Sequence, residues 1–215
     1  MLSATVIVNL QDRETQAGHQ AAAAAADSVS SSDWLALVGR QHRANFELWH
    51  TEDEARSPGA TDAELADVKR RVDRLNQRRN DLAEELDRAL LAWLEPKGLP
   101  NPAAALHSES PGLMIDRLSI LSLKIYHTRE EADRPKAPAG HAQRNLGRLA
   151  VLEEQRADLA SCLDALWVET TAGTRRFKLY RQLKMYNDPS LNPAIYRAPV
   201  PAGSSDPELP PRGLS

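Results

Sequence analysis

Cysteine is almost absent from the sequence, which has Cys162 alone among its 215 residues. A single cysteine forms no internal disulfide, and without a second cysteine it does not indicate a cysteine-rich zinc site. Because Cys162 falls inside a helical pattern, we expect it to be a small residue of the core.

Long apolar runs are also absent. The most apolar stretch, SPGLMIDRLSILSLKIYH at residues 110–127, is interrupted by Asp116, Arg117 and Lys124, whereas a membrane-spanning helix needs roughly 20 apolar residues in succession. The first residues, MLSATVIVNLQDRETQ, lack the basic start and the long apolar segment of a secretory signal. We therefore predict a cytoplasmic protein with no integral membrane segment.

The sequence has no excess of positive charge, since its formal net charge is -3. Proteins that bind nucleic acid usually present a marked basic excess, so we predict no nucleic-acid partner. The sequence also contains no Gly-x-Ser-x-Gly turn, no Walker phosphate loop and no dinucleotide-binding glycine motif. Any chemistry would therefore depend on acid–base side chains and on arginines that stabilise negative charge.

Composition divides the chain into three parts. Residues 1–32 end in AGHQAAAAAADSVSSS, a low-complexity tract that predicts a mobile arm, either without regular structure or helical in part. Residues 198–215 are rich in proline, glycine and serine, which predicts a disordered tail. The helical domain is expected between them, at residues 33–197.

Four long helices are predicted in that domain, because apolar residues recur with helical spacing and no segment alternates with the period of a strand. Thr61 and Glu64 have the spacing of a capping box, and Ser110 precedes Pro111 at a helix start. The helix lengths and short connections are typical of a four-helix bundle, so we predict an all-α fold without a sheet. A shorter basic helix is expected at residues 174–186. The four long helices are expected at residues 33–56, 61–94, 110–134 and 141–168.

Polar and charged side chains fall within the apolar stripes of these helices, where the helical wheel predicts burial. A buried carboxylate or guanidinium without a partner is costly, so such groups must meet one another, a metal or a ligand. One interpretation is a polar cavity between the helices, in which Glu52, Asp116 and His127 act as catalytic acid–base groups. The other is a structural network of ion pairs. The residues concerned are Asn45, Glu52, Arg56, Asn76, Arg79, Asp87, Asp116, His127 and Arg156.

A basic block, TRRFKLYRQLKMY, occupies residues 174–186, and no acidic residue occurs from Thr170 through Asn187. Aromatic residues are interleaved with its charges, and a glycine precedes it at an expected helix N-terminus. We interpret the block as a site for a phosphate-bearing ligand, or as a solvated helix face. Its cationic residues are Arg175, Arg176, Lys178, Arg181 and Lys184.

Histidine and glutamate occur four residues apart twice, as His50 with Glu54 and as His127 with Glu131. This spacing places two potential ligands on one helix face. Neither pair matches the Glu-x-x-His motif of di-iron helical bundles, and the helical wheel places His50 on the outer face. We therefore predict no metal site.

Four motifs occur in order along the chain: NFELWHTEDEAR, RLNQRRND, IDRLSILSLKIYH preceded by SESPG, and KMYNDPSLNP. Together they resemble the bacterial family named domain of unknown function 4254, over about residues 33–196. The resemblance implies no established activity, and it implies a setting near glycosyltransferases in polysaccharide loci. The positions that it implies as functional are Asn45, His50, Glu52, Arg56, Asn76, Arg79, Asn80, Asp81, Asp116, Arg117, His127, Lys184, Asn187, Asp188 and Asn192.

These observations together predict a protein that binds an anionic sugar phosphate or nucleotide sugar in bacterial surface polysaccharide biosynthesis, as an enzyme or as an accessory of one. The basic block would hold phosphate, and Asn45, Asn76, Glu52 and Asp116 would bind hydroxyl groups. The sequence does not identify a cofactor. The expected partner is that small molecule or a glycosyltransferase-type protein, and exposed apolar seams would permit a homodimer.

Two alternatives come from different classes of protein. The first is a non-catalytic interaction module or scaffold, whose buried charges are structural and fix the register of the helices. The second is a metal-dependent nucleotide phosphohydrolase. It is suggested by the spacing of Glu84 and Asp87, which is similar to that in magnesium-dependent helical pyrophosphohydrolases, although their preceding pair of acids is missing here.

Overall fold

Within the described residues the chain forms five α-helices, and the prediction of an all-α protein is confirmed. The computed structural model describes residues 2–20, 34–181, 183 and 190–193. The chain divides into two units, Met1–Arg181 and Gln182–Ser215, and the five helices belong to the first. None of the described helices is long and apolar enough to cross a membrane. The helices are α1 (Ala4–Gln20), α2 (Trp34–Glu54), α3 (Asp62–Leu94), α4 (Pro111–Ala132) and α5 (His141–Thr171).

Local signals in the sequence determine where α3 and α4 begin. The Thr61 side chain accepts a hydrogen bond from the Glu64 N–H at 3.3 Å, and the Glu64 carboxylate accepts one from the Thr61 N–H at 2.8 Å. This is the capping box that the sequence predicts. Ser110 is the N-cap of α4, and Pro111 takes the first helical position, where its missing N–H leaves no donor unsatisfied.

Residues 4–20 of the predicted arm are helical, as the sequence allowed, but they are not a mobile segment, because they form α1 and contribute to the core. Ala4 and Ile7 are fully buried, and α1 contacts α2, α4 and α5. The face that α1 buries continues with Gln11 and Thr15, whose side chains are also buried. Because polar residues occupy half of this face, its sequence pattern does not resemble an amphipathic helix. Residues 21–33, which include the alanine tract, lie outside the described residues.

Helix α4 lies at the centre of the fold and contacts each of the other four helices. Its buried residues cover more than one side of the helix, as the sequence predicted for this apolar segment, and include Ile115, Leu118, Leu123 and Ile125. The core therefore consists of five helices, with α4 at its centre, where the sequence predicted four. Cys162, expected in this core, is exposed on α5.

The predicted basic helix at residues 174–186 is not formed in its described part. Two short strands, β1 (Ala105–Leu106) and β2 (Arg175–Arg176), pair in parallel, so the expectation of no sheet is also wrong for these four residues. Gly173 follows the end of α5 and has a positive φ of 75°, a conformation that glycine adopts without steric cost. Phe177 then anchors the segment because its side chain is buried in the core. Lys184 and the predicted disordered tail at 198–215 lie outside the described residues.

Candidate functional site

A buried carboxylate, Asp116 on α4, joins α2, α3 and α4. Its Oδ1 accepts hydrogen bonds from Gln41 Nε2 at 2.6 Å and from Asn45 Nδ2 at 2.9 Å. Its Oδ2 lies 3.1 Å from a guanidinium nitrogen of Arg79. Burial raises the pKa of Asp116 above its usual range, while Arg79 and the two amides act in the opposite direction. The carboxylate thus fixes one arginine and two amides in place.

The network continues from Asn45 towards α1 through a buried histidine. Asn45 Nδ2 also donates to Ser119 Oγ at 3.0 Å, and Ser119 Oγ lies 2.7 Å from His42 Nδ1. His42 Nε2 lies 2.9 Å from Thr15 Oγ1, which itself donates to the Gln11 carbonyl. Because the Thr15 hydroxyl proton is already used, His42 Nε2 must donate to Thr15. Burial disfavours the charged form of the ring, and in the neutral ring Nδ1 accepts from the Ser119 hydroxyl.

The stability of the protein should depend on the protonation of His42. Burial, and secondarily the nearby charge of Arg43, lowers the pKa of His42 to about 4. An unfolded chain binds a proton at this ring below a pH of about 6.5, whereas the folded chain binds it only near pH 4. The contribution of His42 to the free energy of unfolding is therefore present above pH 6.5 and is lost as the pH falls towards 4.

We expect the stability advantage of the wild type over His42→Gln to shrink by about 2–3 kcal/mol between pH 7.5 and pH 4. Glutamine retains hydrogen-bonding capacity but does not titrate. Urea unfolding of both proteins at a series of pH values measures this difference, and other titrating groups cancel in the comparison. One such group is Asp87, whose pKa burial raises to about 6 and whose effect has the opposite sign. An advantage that does not change with pH would contradict the assignment of a neutral, buried His42.

A cleft of about 280 Å³ opens beside this network, between α2, α3 and α4. Arg79 and Asn45, both held by Asp116, form part of its wall. Arg79 keeps a quarter of its side chain exposed, and its Nε is buried without a hydrogen-bond acceptor among the described residues. The cleft is lined by Asn45, Leu48, Trp49, Glu52, Asp53, Arg56, Arg79, Ile120 and Leu123.

Glu52 and Arg56 line the cleft at its rim and are not buried. Their side chains are 45% and 67% exposed and form an ion pair with each other at 3.4 Å. The helical wheel predicted burial because it gives the direction of a side chain but not its depth along the bundle. The buried positions of α2 end at Thr51, so the following residues project beyond the core. Asn76 is half-buried on α3, and it does not belong to the lining that the described residues form.

Asp87 and Arg156, predicted as ligand-binding, instead connect helices outside the cleft. Asp87 on α3 accepts a hydrogen bond from the Gly112 N–H at 2.7 Å, which satisfies a donor in the first turn of α4. Arg156 on α5 pairs with both carboxylate oxygens of Asp12 on α1, at 2.8 and 2.9 Å. Both residues therefore have structural partners that account for their position in an apolar stripe.

The basic block does not form a single cationic surface in its described part. Arg175 pairs with Glu169 at 2.9 Å, and Arg176 donates to the Ala104 carbonyl at 2.9 Å. Lys178 and Arg181 are exposed. Two of the four described cations thus already have acceptors within the fold.

His127, predicted as a catalytic group, lies with two other histidines rather than with Glu52 or Asp116. Potential ligand atoms of His19, His50 and His127 all lie within 4.8 Å of one another. The helical wheel placed His50 on an outer face, but α1 covers that face and brings His19 against it. Sequence analysis misses His19 because this residue follows a polar segment of α1, where no apolar stripe predicts packing. The one available signal was its position four residues after Thr15 on the same helix face.

Comparison with known proteins yields one match. Residues 35–179 match the family described as "Protein of unknown function (DUF4254)". No curated protein and no solved structure shows significant similarity to the chain. The matched residues include the cleft and Asp116 with its partners Gln41, Asn45 and Arg79, but they begin after α1.

Proposed function

Since the chain belongs to the DUF4254 family, whose description assigns no function, we propose from the cleft itself that the protein binds an anionic sugar phosphate. The observation that carries this proposal is Arg79, which Asp116 holds in place in the wall of a cleft that also contains Trp49. A guanidinium fixed by a buried carboxylate is preorganised to bind phosphate oxygens. Trp49 offers an apolar surface for a sugar ring.

The mixed charge of the cleft favours a ligand with both hydroxyl groups and a phosphate. Arg56 and Arg79 supply positive charge, while Glu52 and Asp53 supply hydrogen-bond acceptors for hydroxyl groups. Two carboxylates at the edge of the cleft would repel phosphate alone, so they favour a ligand that also carries hydroxyl groups. Asn45, which is fixed by Asp116, adds an amide that also binds hydroxyl groups.

The size of the cleft limits the ligand further. Its volume of about 280 Å³ lies just below the range for small-molecule sites, roughly 300–1,000 Å³. It suits a single sugar ring with a phosphate. If the ligand is a nucleotide sugar, the nucleoside would extend beyond the cleft.

The proposed roles differ from residue to residue. Arg56 and Arg79 contact phosphate, Glu52 accepts hydrogen bonds from sugar hydroxyls, and Asp116 acts as a positioning residue for Arg79. The basic block has a smaller role in this proposal, because Arg175 and Arg176 do not line the cleft. We propose that the protein works in the cytoplasm, in the assembly of surface polysaccharide, as an enzyme or as an accessory of one.

Arg79→Gln should weaken the binding of glucose 1-phosphate at least tenfold, because the variant loses a charge-assisted contact with phosphate. Isothermal titration calorimetry measures the dissociation constant for wild type and variant. Arg78→Gln is the matched control: Arg78 is the next residue along α3, but it is exposed and pairs with Glu47 on α2. Its dissociation constant should equal that of the wild type. Equal affinities in all three proteins would contradict the assignment of Arg79.

A further inference from the structure

Three histidines converge from three helices at the end of the fold where α1 and α2 finish. His19 is in the last turn of α1, His50 lies near the end of α2, and His127 lies on α4. Their potential ligand atoms all lie within 4.8 Å of one another. Among the described residues no other histidine, cysteine, aspartate or glutamate belongs to this group.

The Nε2 atoms of all three rings are buried and have no hydrogen-bond partner within the described structure. A buried polar atom without a partner costs about 1–3 kcal/mol, so three at one place call for a shared partner. Elsewhere in the core, His42 uses both ring nitrogens in hydrogen bonds. The three clustered rings differ from it in this respect.

Hydrogen bonds at the opposite ring nitrogens determine which nitrogen is free to bind. His19 Nδ1 lies 2.7 Å from the Thr15 carbonyl oxygen, and His127 Nδ1 lies 2.9 Å from a carboxylate oxygen of Glu130. A carbonyl and an ionised carboxylate only accept, so both Nδ1 atoms carry the proton. In the neutral ring Nε2 then presents a lone pair to the centre of the cluster. This arrangement, with Nδ1–H bound to a carbonyl or carboxylate, is typical of histidines that bind metal.

Aromatic side chains fix the orientation of these rings. Trp49 stacks on His127 with ring centroids 5.0 Å apart and an angle of 6° between the planes. Tyr126 stacks on His19 at 4.2 Å, and Phe46 contacts His19 and His50 edge-on. The rings are thus preorganised for binding through nitrogen.

We propose that His19, His50 and His127 form a binding site for a divalent transition metal of the zinc type, with Nε2 of each ring as ligand. Three neutral imidazoles suit zinc, and three protein ligands leave a further coordination position for water or another small ligand. A tetrahedral zinc site needs ligand nitrogens about 3.3 Å apart, so metal binding would draw the three rings together from their present spacing of up to 4.8 Å. This proposal does not depend on the sugar-phosphate cleft, although Trp49 contacts His127 and also lines that cleft.

Metal content tests the site directly. Protein made without a polyhistidine tag is stripped with a chelator, dialysed against zinc and analysed for bound metal. We expect one zinc per chain for the wild type and at least a tenfold loss of affinity for His50→Gln and for His19→Gln. The control is His107→Gln, since His107 lies outside the cluster and bonds within its own loop to the Glu109 carbonyl. It should bind zinc like the wild type, and circular dichroism verifies that each variant is folded.

A second measurement needs no variant. The protein has six histidines, and with nitrogen-15 labelled histidine their ring nitrogens report both tautomer and metal binding. We expect zinc to shift the Nε2 resonances of three of the six rings and to leave those of His42, His107 and His141 unchanged. The proposal is overturned if the wild type binds no stoichiometric zinc, if zinc leaves the three rings unchanged, or if His107→Gln loses zinc as the cluster variants do.

Discussion

Replacing Asp116 by alanine should lower the free energy of unfolding by about 3–5 kcal/mol, the cost typical of breaking a buried ion pair from one side. Asp116 is 5% exposed, and it is the common acceptor for Gln41, Asn45 and Arg79. Without the carboxylate, two amide groups and a partly buried guanidinium each lose an acceptor. Urea denaturation measured by circular dichroism gives the free energy of unfolding for wild type and variant.

Two further variants separate the loss of this network from the loss of any acidic side chain. Asp116→Asn should lose less stability than Asp116→Ala, because its carbonyl oxygen still accepts from Gln41 and Asn45. Asp73→Ala should unfold like the wild type, since Asp73 forms an exposed ion pair with Lys69 on the surface of α3. If Asp116→Ala is as stable as Asp73→Ala, the carboxylate does not organise the three helices.

Gly112→Ala should destabilise the fold by about 3 kcal/mol, at the upper end of the usual cost of overpacking. A Cβ at this position would lie 2.2 Å from the Ala83 carbonyl oxygen and 2.9 Å from the Asp87 carboxyl group. The carbonyl belongs to the backbone of α3, so it cannot move aside as a flexible side chain would. The two helices must separate, which also weakens the hydrogen bond from the Gly112 N–H to Asp87.

Gly147→Ala is the control for this substitution, because Gly147 lies in α5 and its added Cβ would meet nothing within 4 Å. Alanine has the higher helix propensity, so this variant should be more stable than the wild type by about 0.5–1 kcal/mol. Thermal or urea unfolding of both variants measures the contrast. Similar stability of Gly112→Ala and Gly147→Ala would show that α3 and α4 are not in such close contact.

The sequence predicts the helices that carry strong local signals. The capping box of Thr61 and Glu64 marks the start of α3, and Pro111 marks that of α4. These signals depend on a few neighbouring residues and are independent of tertiary contacts. The sequence pattern places Asn45 in an apolar stripe of α2 and Asp116 on the mixed polar and apolar side of α4, and both residues are buried.

Tertiary pairing determines what the sequence does not predict. Gln11 and Thr15 occupy buried positions of α1 because Ile115, on α4, and His42, on α2, offer them hydrogen bonds. No local pattern contains that information, so α1 was read as a mobile arm. Sequence analysis misses the histidine cluster for the same reason. His50 lies on a face of α2 that the helical wheel marks as outer, and only the packing of α1 covers that face.

The helical wheel also overestimates the number of functional charges. Arg156 lies within an apolar stripe of α5 because Asp12 of α1 meets it there. Asp87 lies within one of α3 because it accepts from the first turn of α4. A wheel shows that a charge needs a partner, but it does not distinguish a ligand from another helix.

The most direct test of the proposed function is a map of amide chemical shifts during titration with glucose 1-phosphate. We expect the largest changes at Asn45, Trp49 and Arg79, in the wall of the cleft, with saturation at one ligand per chain. Changes confined to Arg175, Arg176 and Lys178, or no saturable change at any residue, would contradict the proposal that this cleft binds a sugar phosphate.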